Sequence, residues 1–369
     1  MKVKIIKKSY NHLKTKIINC FSLYKYSNEI CKLEYNTLLK GDFLDLKKVI
    51  NQSYNKDSLG LCVIQNVPNL KELKNKVLDY GLKLIKMTKE EKHHFTEEKC
   101  KHMIGWKETN VNWNGKEDKF IGEFLARTNM ETIHYPNDPK IEKLYENVWP
   151  LHLKKFKEDF KKLGEVVGSV QKIMLKYIDS YLSDMKINNE KRLLNILNNH
   201  ELLGMLICYK PPSNNSSNDW ISMHRDSGLL TALVHPNYYD IKTGEKIEGL
   251  PCSLEVKDRK GNFHLINYLE TDLVLQIGEL LNLYSAGNIT STPHRVIFSD
   301  ETKNLLRVNF PQFLDPYFSE IIDLPNNYTL DEIIANDPFK DDFKLENYQI
   351  GKSYFAYMEN IHKHLYYGK

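Results

Sequence analysis

The sequence predicts a mainly β protein with flanking helices, an α+β chain folded as one unit, on three observations. After Gly204 it breaks into short apolar runs separated by turn residues, at 203–209, 229–234, 251–256, 262–268, 273–284, 294–298 and 305–313. Many short strands at that spacing indicate a β-sandwich or barrel. Before Gly204, two long stretches repeat apolar residues at three- and four-residue spacing, the stripe of a helix lying on a core. No internal repeat and no flexible Gly/Ser linker divides the two halves, so the helical part is expected to pack on the β part.

Residues 1–30 hold seven lysines and one acid, Glu29. This basic extension is a weak match to an organellar transit segment, although it has no arginine; a solvated lysine-rich arm or an amphipathic first helix is the alternative. Residues 57–68 read as a short strand entered through Gly60 and closed by Pro68. A helix is expected from Leu70 to about Met87, with Leu70, Leu73, Val77, Leu78, Leu82 and Ile85 on its apolar face. The stretch 100–136 has no sustained period and is read as loops and short extended pieces, with Trp106, Trp113 and Phe120 as candidate pocket residues. A second, longer helix is expected from Pro150 to about Leu182.

Composition excludes several classes. The chain has 369 residues, 41% hydrophobic and 27% charged, which is enough apolar material for a sizeable core. No run approaches the roughly 18 apolar residues of a membrane span. The six cysteines include no CxxC pair, which argues against a zinc ribbon or a disulfide scaffold and points to a reducing, cytoplasmic setting. The net charge is +4, but residues 1–30 carry +6, leaving −2 on residues 31–369. The body therefore lacks the basic field of a nucleic-acid binder.

The local element richest in chemistry is His224-Arg225-Asp226. In an extended strand residues i and i+2 point to one face, so an imidazole and a carboxylate could meet one ion. A pair of this kind arises about once by chance in a chain this long and means little alone. A second imidazole, His294, follows in Ser291-Thr-Pro-His294-Arg-Val. Two His and one Asp can occupy one face of an octahedral ion and leave three positions open, the arrangement of non-haem Fe(II) sites. Structural zinc would instead close its shell with four protein ligands, usually including Cys. Arg307, in the strand-like Leu305-Leu-Arg-Val-Asn-Phe310, is the candidate for holding a carboxylate through its two-pronged guanidinium; a surface arginine is the alternative.

These residues lie in a recognisable pattern. The strings His224-Arg-Asp226-Ser-Gly-Leu-Leu-Thr231, Ile277-Gly278 through Ser291-Thr-Pro-His294-Arg295-Val296, and Arg307-Val-Asn309 with Phe313 and Pro316 resemble the isopenicillin N synthase-like family of Fe(II)/2-oxoglutarate-dependent oxygenases. Asn66-Val67-Pro68, the Tyr209-Lys-Pro211-Pro212 turn and the helix expected after Tyr348-Gln-Ile-Gly351 follow the same order, so the resemblance covers roughly residues 55–365.

The resemblance implies a double-stranded β-helix (jelly roll) over 201–320, a mostly helical buttress over 31–200 and a C-terminal helical segment over 321–369. It implies Fe(II) on His224, Asp226 and His294, with 2-oxoglutarate and O2 as cosubstrates and ascorbate as a possible reductant. Arg307 matches the arginine that pairs with the distal carboxylate of 2-oxoglutarate. Asn309 stands where the family usually has serine. Cys208-Tyr209-Lys210 replaces the usual Asn-x-Tyr, so Tyr209 and Lys210 join Arg307 and Asn309 as cosubstrate candidates. Trp106, Phe120 and Phe313 are the substrate-wall candidates. The expected activity is oxidation, by hydroxylation or desaturation, of a small or medium organic substrate by a monomer, with release of succinate and CO2. A same-fold Fe(II) oxidase that does not use 2-oxoglutarate, and a catalytically silent metal-binding module, are the alternatives.

Overall fold

A computed structural model describes residues 30–96, 103–113, 116–136, 138–187, 192–211, 218–340 and 349–367. The basic extension lies outside them but for Ile30. Among the described residues no helix is long and apolar enough to cross a membrane.

Among the described residues fifteen strands run in chain order: β1 (Cys31–Glu34), β2 (Leu61–Gln65), β3 (Gly105–Trp113), β4 (Lys116–Arg127), β5 (His200–Tyr209), β6 (Asp219–His224), β7 (Leu230–Val234), β8 (Asn237–Tyr239), β9 (Lys246–Ile247), β10 (Leu254–Lys257), β11 (Phe263–Ile266), β12 (Leu273–Ile277), β13 (His294–Ile297), β14 (Leu306–Asn309) and β15 (Pro311–Pro316). The larger sheet runs β1-β2-β12-β7-β15-β5, with β14 following β15 along the same edge of β5 and β4 and β3 on its other edge. The smaller sheet runs β11-β10-β13-β6. The chain alternates between them: β5 large, β6 small, β7 large, β10 and β11 small, β12 large, β13 small, β14 and β15 large.

The long helix, Phe156–Asp184, begins later than Pro150 and lies along the outer face of the large sheet. Phe156, Phe160, Leu163, Val167, Val170, Met174, Ile178 and Leu182 are all buried, each contributing roughly 1.5–3 kcal/mol. Buried amides fix its register: Gln171 Nε2 donates to the Leu230 and Gln312 carbonyls, and Gln312 Nε2 donates back to the Gly164 carbonyl. The helix Leu70–Lys86 packs beside it, with the stripe the sequence predicts.

Both faces of the large sheet are covered, by helices outside and by the small sheet inside. Strand β12 is therefore buried at every residue, and a strand buried on both sides reads as a continuous apolar run. Between the sheets, one cluster gathers Leu61, Val63, Leu254, Ile266 and Val274, and another Ile207, Trp220, Ile221, Val296 and Phe298.

One segment departs from expectation. Within 100–136, read as loops and short extended pieces, Gly105–Trp113 and Lys116–Arg127 are instead two long antiparallel strands, β3 and β4, which extend the large sheet. A register shift between Thr109 and Val111 interrupts the two-residue period, and inward charges at Lys107 and Glu123 hide the alternation further. Trp106 is a core residue here: it is buried, with Gly122 against its ring, and it does not line the cavity described below. The side chains of Trp113 and Phe120 lie outside the described residues.

Candidate metal centre

The site is built where β6 and β13 meet. In this antiparallel pair His224 is the direct cross-strand partner of His294, which brings two imidazoles distant in sequence to a ring separation of 4.3 Å. Asp226 does not use strand alternation, because β6 ends at His224 and Asp226 lies in the loop just beyond it. That loop returns the carboxylate, so Oδ1 is 3.7 Å from Nε2 of each histidine. Among the described residues this is the set of three ligating groups that converges, with all ligand atoms within 4.8 Å of one another.

The donor atoms are prepared for a cation. His224 Nδ1 lies 2.8 Å from the Ser222 carbonyl and His294 Nδ1 3.2 Å from the Thr292 carbonyl, which assigns the protons to Nδ1 and leaves a lone pair on each Nε2. Burial first, and His294 second, hold the His224 pKa down to about 4 against the pull of Asp226, so the ring is neutral near pH 7. Asp226 Oδ2 is buried and has no hydrogen-bond partner. A carboxylate in that state is costly unless something positive joins it.

The ligand loop is clamped from behind. The Asp226 carbonyl accepts from the Glu279 N–H at 2.7 Å, and the Gly228 carbonyl from the Leu280 N–H at 3.1 Å. Arg225, between the two ligands in sequence, points the opposite way: Nη2 is 2.7 Å from Glu279 Oε1 and Nη1 is 2.6 Å from Asp337 Oδ2, with the side chain fully buried. Gly278 lets the clamp approach, since a Cβ there would overlap the Gly228 carbonyl oxygen. Gly278→Ala should therefore push the Asp226 loop away and destabilise the fold by about 2–3 kcal/mol. Urea unfolding measures this, and a loss below about 0.5 kcal/mol would mean that the loop yields freely.

A cavity of about 180 Å³ opens onto these ligands between the sheets. Arg307, on β14, lines it and is buried. Its Nη2 donates to the Cys252 carbonyl at 3.0 Å, while Nε and Nη1 are buried without a hydrogen-bond partner. The Tyr209 ring lies against the guanidinium, 5.0 Å from its centre. Asn309 lines the same wall; its Oδ1 accepts from the Phe310 N–H, which leaves the amide's donor side for a ligand. Phe313 lines the cavity as well.

Lys210 does not join this group. Successive residues of a strand face opposite ways, so Tyr209 faces the cavity and Lys210 turns out to Glu108, with Nζ 3.2 Å from Oε2. This corrects its assignment as a cosubstrate residue. Arg225 and Glu123 are site residues that the sequence reading does not single out. The alternation that sends Arg225 away from the metal position could suggest a supporting role, but Glu123 lies in a segment read as loops and short extended pieces.

No protein-family model matches the sequence, and no curated protein matches it. Solved structures share the fold. A structure described as a 2OG-Fe(II) oxygenase family protein of Caulobacter crescentus superposes with a TM-score of 0.66 at 19% identity, covering 91% of this chain and 98% of that one. A full-length Neurospora crassa protein in complex with alpha-KG and thymine gives 0.63 at 17%, over 90% and 96% of the two chains. The Arabidopsis thaliana dioxygenase for auxin oxidation 1, bound to 2-oxoglutarate, gives 0.56 at 15%, over 78% and 92%. The likeness at these identities is one of fold, and it spans nearly the full length of each of those proteins.

Proposed function

We propose that the protein is an Fe(II)- and 2-oxoglutarate-dependent oxygenase of a small or medium organic substrate, built on a double-stranded β-helix. One observation carries this reading: three metal-ligating side chains and a buried arginine with two unpaired N–H groups line the same cavity. The solved structures of the same fold include complexes with 2-oxoglutarate, with alpha-KG and thymine, and with 2OG, Fe and JA, which supports the choice of cosubstrate and the size of substrate.

His224 and His294 would give Nε2, and Asp226 a carboxylate oxygen, to one face of the ion, leaving positions for a chelating acid and O2. Bound Fe(II) supplies the oxygen chemistry, with 2-oxoglutarate as the two-electron reductant that leaves as succinate and CO2. The protein's part is positional. Arg307 would donate Nε and Nη1 to the distal carboxylate, Asn309 would add its amide donor, and the Tyr209 ring keeps the guanidinium plane fixed. Ile207, Ile221, Val296 and Phe313 form apolar walls that keep water out.

Anaerobic addition of Fe(II) and then 2-oxoglutarate to the apoprotein should give the visible charge-transfer band of the chelated keto acid. Arg307→Ala should weaken 2-oxoglutarate binding about 100-fold, the loss expected for two charge-assisted hydrogen bonds. Succinate release on substrate addition then separates the oxygenase from an oxidase that does without 2-oxoglutarate. Fe(II) binding with no band would sink the proposal.

A further inference from the structure

We propose that Glu123 determines specificity in this cavity and that the substrate carries an amine or another N–H cation or donor on an otherwise apolar body. The inference rests on the reading of the cavity as an oxygenase active site and goes beyond it to the class of substrate.

Glu123 lies on β4 directly opposite Ile207 of β5, which in turn lies opposite Asn309 of β14. Residues in one such row project to the same face of a sheet, and all three line the cavity. With neighbouring strands about 4.8 Å apart, the backbone of Glu123 is roughly 10 Å across the sheet from that of Asn309. A cosubstrate held by Arg307 and Asn309 therefore leaves Glu123 further along the same wall, where a second molecule would lie.

The surroundings make this carboxylate conspicuous. Met205, Ile207, Ile221, Val296 and Phe313 are apolar residues of the same lining, and Ile207 is the direct cross-strand neighbour of Glu123. Glu123 is 5% exposed, and the cation the structure gives it is its cross-strand partner Lys107, equally buried, with Nζ 2.8 Å from Oε2. Lys107 neutralises the charge from the β3 side and is not part of the cavity lining. That ion pair fills one acceptor position of Oε2, and an ionised carboxylate offers about four, so acceptor capacity remains on Glu123. A buried carboxylate with unfilled acceptor capacity on an apolar wall favours a ligand that brings a donor, and it rejects one that brings only hydrocarbon or an anion. The same remaining acceptor capacity gives discrimination, because a ligand without the donor leaves those desolvated acceptor positions unfilled.

The test compares benzylamine with toluene by calorimetry, on anaerobic protein loaded with Fe(II) and 2-oxoglutarate and, separately, on metal-free protein. Benzylamine should bind at least about tenfold more tightly than toluene. Glu123→Gln should lose most of that preference while keeping the charge-transfer band. Because Gln removes the charge that faces Lys107, the double variant Lys107→Met with Glu123→Leu is measured beside it; it replaces the pair by apolar groups of similar volume and should bind both probes alike. Equal affinities in the unmodified protein, no binding of either probe, retention of the preference in both variants, or loss of the band in both variants would overturn the proposal. Absence of the band from the unmodified protein would instead sink the oxygenase reading, and the metal-free titration would still decide the amine preference.

Discussion

Asp226→Ala is expected to abolish Fe(II) binding and turnover while making the metal-free protein more stable. The two effects have one cause. An imidazole binds a cation as a neutral ligand, so Asp226 supplies the anionic donor of the set, and its removal leaves two imidazoles that hold a divalent ion far more weakly. A loss of more than about 1000-fold in turnover follows, since the chemistry depends on the ion. In the metal-free fold the same carboxylate is a burden, with Oδ2 buried and unpaired. Its deletion should raise stability by about 1–2 kcal/mol, the usual penalty for such a group. The Asp226 backbone carbonyl keeps its bond from Glu279, so the loop should hold its shape. Urea unfolding in the presence of a chelator, with Fe(II) titration in parallel, checks both signs. A variant less stable than the parent would show that Asp226 has a structural partner rather than a vacant ligand position.

Arg225→Met should cost about 3–5 kcal/mol, the range for breaking a buried ion pair by removing one side. Glu279 and Asp337 would both lose their buried cation. Burial already pushes the Glu279 pKa up to about 7 with Arg225 beside it, so without the arginine its carboxyl would take up a proton at neutral pH. Asp337 keeps bonds from Asn282 and the Phe339 N–H, which limits the damage on that side. The triple variant Arg225→Met, Glu279→Gln, Asp337→Asn should recover much of the stability, because neither acid is then left charged without Arg225 and Arg259 still has Asp57 and Asp258 near it. Thermal unfolding of the parent and these variants reads this directly. A single-variant loss under about 1 kcal/mol would mean that the clamp is solvated in solution.

Much of this architecture is legible in the sequence, and for identifiable reasons. The helices Leu70–Lys86 and Phe156–Asp184 each pack one face on the sheet, so their apolar stripes survive in the order of residues. His224, Asp226, His294 and Arg307 stand out because few residue types can ligate a metal or grip a carboxylate, and their presence in β-rich sequence narrows the chemistry. The β3–β4 pair is not legible. Its interrupted register and its inward Lys107 and Glu123 give it no clean two-residue period.

The sequence by itself determined the residue types at the site, the helical stripes and the succession of short strands, since each of these is encoded by neighbours along the chain. Only the tertiary structure decided which way each side chain faces. It turned Tyr209 to the cavity and Lys210 to Glu108, sent Arg225 behind the ligand loop, and brought Asp226 back from beyond the end of β6. The physical reason is the burial of the large sheet on both faces. Where helices cover one side and a second sheet the other, hydrophobicity no longer marks which face is which. The phase of a strand there is then set by cross-strand register, as in the row of Glu123, Ile207 and Asn309.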